Sequence, residues 1–468
     1  MEYISIHEIS KKWHMKERKV TTLCRDNRIA GVRKNGNTWL VPSDALKPID
    51  KRTKEYEEHI NTIIEENTTT PYTKVGGEQR VIDSFKSKYN KEPMYTTFTP
   101  YRICPLGAHI DHNLGCITGF AIDKGIHIAY SIKRNGIVEI ESLQFPKRGQ
   151  WHVENTPQEK ENDWADHLRG ATIALNKRYP LRNGLSAIID GELPIGGLSS
   201  SGTMIITFIN ALAFLNNIKL TKKELVEIAN EAEIKYVEVS NGKLDQACEL
   251  YAEKNKLLYV DMLNDEHILI DTPSNMKTFK IGIFFSGVDK GLEPSKYNMR
   301  VDELRSAAYL LKALSGMEYG KFNETNMRDV PYDVFNKYQN KLPSNFRKRA
   351  EHFYNECERV QKGIQYYKDG NILEFGKLVT ESGESTINLW QTGSKEMISL
   401  FNILKSVQGV YGTRFAGSGF KGCCMALIDP KHENEILDKV KNEYTSLYPR
   451  LRNKYSAHIC ETADGVKL

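Results

Sequence analysis

No apolar run in this chain approaches the roughly 20 residues that a bilayer-crossing helix needs, and its first residues have neither the basic n-region nor the apolar h-region of a secretion signal. A cytoplasmic protein with no membrane partner is expected. The eight cysteines (Cys24, Cys104, Cys116, Cys248, Cys357, Cys423, Cys424 and Cys460) show no CxxC spacing and no histidine at zinc-finger distance, which argues against a disulfide framework or a thiolate metal site. A large net charge is also lacking, the formal value being +5 over 468 residues. The small excess sits at one end, where residues 1–55 hold thirteen Lys/Arg against seven Asp/Glu. A chain of this length with 40% apolar residues is expected to fold as two or three units.

The basic end has its own pattern. Ser5-Ile6-His7-Glu8 has capping-box form and predicts a short helix through Trp13. A second helix from about Lys16 to Asn27 turns Val20, Leu23 and Cys24 inward and leaves Lys19, Thr22 and Arg25 outward. Residues 31–42 read as a hairpin with Asn35-Gly36 as a type I′ turn. Two short helices and a basic hairpin predict a small winged helix-turn-helix domain over residues 1–48. The segment resembles the excisionase-like and MerR-like winged helix domains. That resemblance implies double-stranded DNA as partner, with Lys19, Thr22 and Arg25 at the major groove and Arg33 and Lys34 at phosphate or the minor groove. Residues 49–77, charged and then Thr-rich, read as a linker, with 51–66 as a solvated helix broken at Thr68-Thr69-Thr70-Pro71. A helix over about 77–89 follows.

Beyond it, Tyr101 to Gly115 concentrates Arg102, His109, Asp111, His112 and two glycines, which predicts a strand, a turn and a substrate-facing loop. Residues 126–153 read as a hairpin region turning at Asn135-Gly136, and a helix is expected near 164–177. Leu193 to Thr203 then runs Pro-Ile-Gly-Gly-Leu-Ser-Ser-Ser-Gly-Thr into an apolar helix, Met204 to Leu215. Flexible glycines, hydroxyls and a helix N-terminus concentrate N–H donors suited to a phosphate chain. This loop has no lysine, so it is not a Walker A motif. Near the other end, Gly417-Ser418-Gly419-Phe420-Lys421-Gly422 fits the dinucleotide fingerprint G-x-G-x-x-G. It precedes the strand-like Cys423 to Ile428 and opens no helix, so a Rossmann assignment fails on context.

Three runs in family order, Arg102 to Gly115, Pro194 to Thr203 and Gly412 to Cys424, resemble the galactokinase signature, the phosphate loop and the C-terminal glycine motif of the GHMP kinases. Arg-Ile-Cys-Pro-Leu-Gly-Ala-His-Ile-Asp-His and Gly-Phe-Lys-Gly-Cys-Cys are nearer to plant-type galacturonokinase than to ordinary galactokinases. The resemblance implies an α+β, two-lobed GHMP kinase fold of mixed sheets with packed helices, the lobes being residues 78–285 and 286–468. It implies ATP held by Gly196, Gly197, Leu198, Ser199, Ser200, Ser201, Gly202 and Thr203 with Gly417 and Gly419, and Mg2+ held by Ser201 and Glu233. It implies Asp245 as catalytic carboxylate with Arg102 as its partner, and Ala108, His109, Asp111, Gly242 and Tyr297 as sugar contacts. Transfer to a sugar hydroxyl needs a carboxylate at the attacking oxygen and positive charge near the moving phosphoryl group.

Ala108 stands where galactokinases carry Glu against the sugar's C6 hydroxyl. A hexuronate would place a second carboxylate there, and like charges a few ångströms apart are costly, so Ala points to a sugar acid, galacturonate first. Two departures point elsewhere: the phosphate loop is one residue short, and Gly202-Thr203 replaces two small residues, commonly Ala. The expected activity is an ATP-dependent sugar 1-kinase; the alternatives are a galactokinase and a sugar-sensing transcriptional regulator on a kinase-like fold.

Overall fold

A computed structural model describes residues 3–25, 29, 32–36, 38–43, 45, 47, 76–239, 242–264, 266–288 and 294–467. The linker helix expected over 51–66 and the break at Thr68 to Pro71 lie outside the described residues. The chain divides into two units, Met1–Lys74 and Val75–Leu468.

The first unit contains β1 (Tyr3–Ser5), α1 (Ile6–Lys12), α2 (Glu17–Arg25), β2 (Arg33–Asn35) and β3 (Thr38–Pro42), its three strands ordered β1-β3-β2. The capping box forms: Glu8 N–H donates to Ser5 Oγ at 3.2 Å and Ser5 N–H to Glu8 Oε2 at 2.7 Å. Ile9, Trp13, Val20, Leu23, Cys24 and Val41 bury together. Strand β1 has no counterpart in the sequence reading, because three residues carry no period. The hairpin turn also falls one residue later than expected: Asn35 pairs with Thr38, so Gly36, at φ +57°, opens it.

The second unit runs α3 (Gly77–Tyr89), β4 (Tyr95–Ile103), β5 (Cys116–Lys133), β6 (Ile137–Ser142), β7 (Gly149–His152), α4 (Asp166–Arg178), β8 (Gly184–Gly191), α5 (Ser200–Leu215), α6 (Lys222–Ala232), α7 (Leu244–Tyr251), β9 (Lys256–Asp261) and β10 (Glu266–Asp271). It continues through β11 (Lys280–Phe285), α8 (Pro294–Ser315), α9 (Tyr332–Tyr338), α10 (Ser344–Lys368), α11 (Ile372–Ser385), α12 (Lys395–Ser406), β12 (Val410–Phe415), β13 (Cys423–Ile428), α13 (Glu433–Leu447), β14 (Ser456–Cys460) and β15 (Thr462–Ala463).

Among the described residues this unit has an eight-stranded sheet, ordered β10-β9-β5-β8-β6-β7 with β4 and β15 also on β5, and a four-stranded sheet ordered β12-β13-β11-β14. Asn135-Gly136 does not close a two-stranded hairpin. Strand β8, buried along its whole length, inserts between β5 and β6, antiparallel to one and parallel to the other. An apolar strand with both faces covered takes a central place in a sheet, and that choice is made by residues 50 positions downstream of the turn. Strand β11, which the sequence places in the N-terminal lobe, pairs with β13 and β14, and β15 returns to β5.

Helix α5 is buried on nearly every face, as a core helix must be when it is apolar all round. Helix α11 lies on β12 at a point where two glycines meet. A Cβ on Gly412 would sit 2.0 Å from Gly376 O, and one on Gly376 2.2 Å from Tyr411 O. This approach sets the depth at which α11 and β12 deliver Ser382 and Arg414 to the interior. Gly412→Ala is expected to destabilise the chain by about 1–3 kcal/mol or more, read from the urea unfolding midpoint.

Candidate active site

Strand β4 brings Arg102 to the site through an irregularity. Its register against β5 shifts between Pro100 and Arg102, where proline offers no N–H to the ladder and a bulge re-aims the next side chain. Arg102 Nε donates to Asp245 Oδ1 at 2.7 Å, and Nη2 lies 2.6 Å from the same oxygen. Asp245 stands in the first turn of α7, and its Oδ2 accepts from Ser199 Oγ at 2.5 Å. The carboxylate and arginine named from the sequence are therefore together, with both carboxylate oxygens engaged. Ser199 adopts φ +60°, a conformation that non-glycine residues occupy at a cost and that concentrates at functional sites.

The two glycine loops touch backbone to backbone. A Cβ on Gly417, at φ +71°, would lie 2.9 Å from Gly197 Cα, and one on Gly422, at φ +96°, 2.6 Å from Gly196 C. Only residues without side chains permit this. Ser200 and Ser201, from one loop, and Lys421, from the other, line a cavity of about 500 Å³ together with Phe145, Trp164 and His167. Phe145 and Trp164 stack, with centroids 5.9 Å apart and planes 6° apart. The cation that the first loop lacks thus comes from the second; Lys421 was visible inside Gly-Phe-Lys-Gly, whereas the aromatic pair, 19 positions apart, carries no sequence signal.

The side chains of other loop residues pack into the protein, while their backbone role toward ATP stays a proposal. Leu198 is buried in the core, and a Cβ on Gly419 would face Phe415 and Thr392 rather than the cavity. A methyl on Gly202 would lie 2.8 Å from Ser199 Oγ, so glycine there leaves the serine hydroxyl room to reach Asp245. Thr203 Oγ1 is 3.0 Å from Ser199 O and 2.6 Å from Glu249 Oε1. Thr203 Oγ1 is thus placed to donate to either oxygen, and burial pushes the Glu249 carboxyl well above its usual range. The Gly202-Thr203 departure from the family pattern therefore has structural partners, whereas nothing in the structure explains the shorter loop.

Glu233 is 2% exposed and opens a single π-helical turn, Glu233–Val237, that continues α6. Ser201 Oγ donates to its Oε1 at 3.3 Å and Gln246 Nε2 to its Oε2 at 2.8 Å. Glu231, two residues earlier, pairs instead with Lys177, Arg178 and Lys235. Among the described residues no three His, Cys, Asp or Glu side chains cluster as metal ligands. One carboxylate and one hydroxyl suit a hard ion that keeps water and takes phosphate oxygens, so the donor set fits Mg2+ arriving with a nucleotide.

On the other side of Asp245 lie the sugar-contact candidates. Leu244 N–H donates to Asp111 Oδ2 at 3.4 Å, and a Cβ on Gly242 would come within 2.2 Å of that oxygen. Burial, then the Asp245 charge, pushes the Asp111 carboxyl up to about 6. Tyr297, half-buried, has its ring 6.1 Å from that of His109, and His109 stacks on buried Trp390 at 5.3 Å and 3°. Trp390 ends a second π turn, Thr386–Trp390, and neither π turn is legible in a hydrophobic period.

Ala108 is 5% exposed, and its peptide groups are held from α10. Glu356 Oε1 accepts from Gly107 N–H at 2.8 Å and Ala108 N–H at 3.3 Å, while Ala108 O lies 2.9 Å from His352 Nε2. Residues 352 and 356, one helical turn apart, escaped the sequence reading because an i,i+4 His–Glu pair looks like any helix surface.

Residues 166–253 match the family described as GHMP kinases N terminal domain. Over 403 residues the chain is 32% identical to a galacturonokinase of Arabidopsis thaliana, covering 81% of this chain and 94% of that protein. Over 378 residues it is 29% identical to a galactokinase of Thermotoga neapolitana, covering 79% and 98%. Among solved structures, Lactococcus lactis galactokinase complexed with galactose has a TM-score of 0.75 at 23% identity, covering 83% of this chain and 98% of that one. Methanococcus jannaschii mevalonate kinase has a TM-score of 0.53 at 14% identity, covering 79% and 98%. These likenesses show a mixed α/β fold of several sheets with packed helices.

Asp111 carries a stability cost. Its carboxyl titrates near 6 in the fold against an ordinary 3.8, so ionisation opposes folding by an amount that grows from about pH 4 and is complete above about pH 6. Asp111→Asn is expected to raise the unfolding midpoint at pH 8, by up to about 3 kcal/mol, with the gain fading towards pH 4 in parallel melts.

Proposed function

Since the chain belongs to the GHMP kinase family, among its galactokinase-like members, and is a sugar kinase, we propose that it transfers the γ-phosphoryl group of ATP to the anomeric hydroxyl of a hexuronic acid, galacturonate first. The observation that carries the substrate is Ala108. A buried alanine, pinned at both peptide groups, stands where the galactokinase signature implies a carboxylate, and its small side chain leaves room for the sugar's own. The identity to a galacturonokinase supports the same choice.

In this proposal the sugar lies between Asp111 and Tyr297 with its C1 hydroxyl at Asp245. Asp245 accepts a hydrogen bond from that hydroxyl, orienting a lone pair toward the phosphorus and receiving its proton as the bond forms. Arg102 keeps the carboxylate charged and places positive charge beside the transferred group. Ser199 donates to the other carboxylate oxygen and fixes its orientation. Ser201 and Glu233 hold Mg2+, which supplies charge neutralisation on the phosphate oxygens. Ser200 and Lys421 meet the phosphates, and the Phe145–Trp164 pair forms an apolar wall for the base.

For the first unit we propose binding to double-stranded DNA through Lys19, Thr22 and Arg25 of α2 with Arg33 and Lys34 of the hairpin. In support, Val20, Leu23 and Cys24 occupy the buried face of α2 while Lys19 and Arg25 are exposed, as are Arg33 and Lys34. Arg33 also packs 5.0 Å from the Tyr3 ring.

Coupled ADP release with galacturonate and galactose side by side tests the substrate. Wild type is expected to turn over galacturonate faster, and Ala108→Glu to lower kcat/KM for galacturonate at least about a hundredfold with the KM for ATP unchanged. Turnover of galactose alone would refute the hexuronate assignment. Fluorescence anisotropy with duplex DNA tests the second proposal: affinity should fall steeply with salt, and Arg33→Ala with Lys34→Ala should flatten that slope by about two. Salt-independent binding, or none, would refute it.

A further inference from the structure

The sugar end of the site contains buried nitrogens that bond to nothing. Among the described residues, His109 Nε2, His112 Nε2 and Trp390 Nε1 are buried without a hydrogen-bond partner, and the Trp390 ring lies 5.3 Å from His109 and 5.6 Å from His112. Protein interiors leave few such groups unpaired. Two of them lie on rings against the ring that carries the third, a grouping suited to oxygens from outside the polypeptide.

For His112 the neighbours decide which nitrogen carries the proton. Met327 N–H donates to Asn113 Oδ1 at 2.9 Å, which orients that amide. Asn113 Nδ2 therefore faces His112 Nδ1, 2.9 Å away. An amide nitrogen donates and does not accept, so Nδ1 is the acceptor and the ring proton sits on Nε2. Burial, followed by the charge of Arg305, pushes the imidazole down to about 3, so the ring is neutral. His112 Nε2–H is thus a preset donor, 9% exposed at residue level, with no acceptor. Arg305 is half-buried on α8, two turns beyond Tyr297, and its Nε is likewise unpartnered.

The position adjoins two of the proposed sugar contacts, Gly242 and Tyr297. The backbone nitrogen of His112 lies 2.8 Å from where a Cβ on Gly242 would be, and its ring is 6.2 Å from that of Tyr297. We propose that His112 is a specificity residue, its Nε2–H donating to a carboxylate oxygen of the hexuronate with the Arg305 guanidinium supplying positive charge behind it, an assignment that rests on the hexuronate substrate proposed above. A hydrogen bond to a charged acceptor is about twice as strong as one between neutral groups. The same donor therefore favours a sugar acid over galactose, whose C6 carries a hydroxyl. Removal of Glu at position 108 makes space for the carboxylate, and His112 gives it a partner.

Steady-state kinetics on the full chain, with galacturonate and galactose as separate sugars, decides the matter. His112→Phe is expected to raise the KM for galacturonate roughly ten- to a hundredfold, to change that for galactose far less, and to leave the KM for ATP as in wild type. His112→Gln, which presents an N–H at similar reach, should recover much of the loss, whereas the shorter His112→Asn should not. The Gln and Asn pair carries the test if the Phe variant fails to fold. A galacturonate KM that is unchanged in His112→Phe, equal in the Gln and Asn variants, or raised by the same factor as that for galactose would overturn the assignment. The wild-type arm is read separately: if wild type phosphorylates galactose and not galacturonate, the hexuronate substrate itself falls and takes the role of His112 with it.

Discussion

A single carboxylate with no exposure to solvent, Glu356, holds the turn at Gly107 and Ala108 in place. Burial alone would push its carboxyl up, but Arg359, Arg414 and Ser382 outweigh it and hold it down at about 2. Its oxygens accept from Gly107 N–H, Ala108 N–H, Ser382 Oγ at 2.6 Å and Arg359 Nε at 2.8 Å. A buried charge persists only when its hydrogen bonds are fully met, so these groups must stay where they are. The turn belongs to the part of the chain that carries Arg102 and Asp111, while the carboxylate belongs to α10. The backbone at Gly107 and Ala108 is therefore positioned by a helix far away in the sequence.

Asp245 plays a similar part at the glycine loop. It joins Arg102 from β4, Ser199 from the phosphate loop and, through α7, the Gln246 contact to Glu233. Ser199 of the glycine loop, Arg102 and Glu233 thus all contact one short helix, through Asp245 and Gln246. Gly202 and Thr203 belong to the same arrangement, one leaving space for Ser199 and the other linking it to Glu249.

Much of this was legible because it is local. The capping box at Ser5, the helix over 77–89, the strand at 423–428 and the pairing of Asp245 with Arg102 follow from nearby residues or from motif order. What was not legible is non-local or non-periodic. Strand β8 overrides the Asn135-Gly136 turn from a distance, the π turns that place Glu233 and Trp390 break the helical period, and the His352–Glu356 clamp has meaning only against a turn 240 residues earlier. The Phe145–Trp164 wall and Lys421 likewise meet only in three dimensions.

The return of β15 to β5 has a consequence for how the molecule is made. Thr462 pairs with Ile122, and Val466 N–H donates to Glu249 O. The first large sheet therefore lacks one of its pairings until residues 462–463, some 340 positions after their partners, have been made. Domain-by-domain folding from the N-terminus cannot complete this unit. The sheet that bears Arg102 and the helix that bears Asp245 both take a contact from residues 462–466, so a polypeptide stalled before them would lack two of the interactions that bracket this pair.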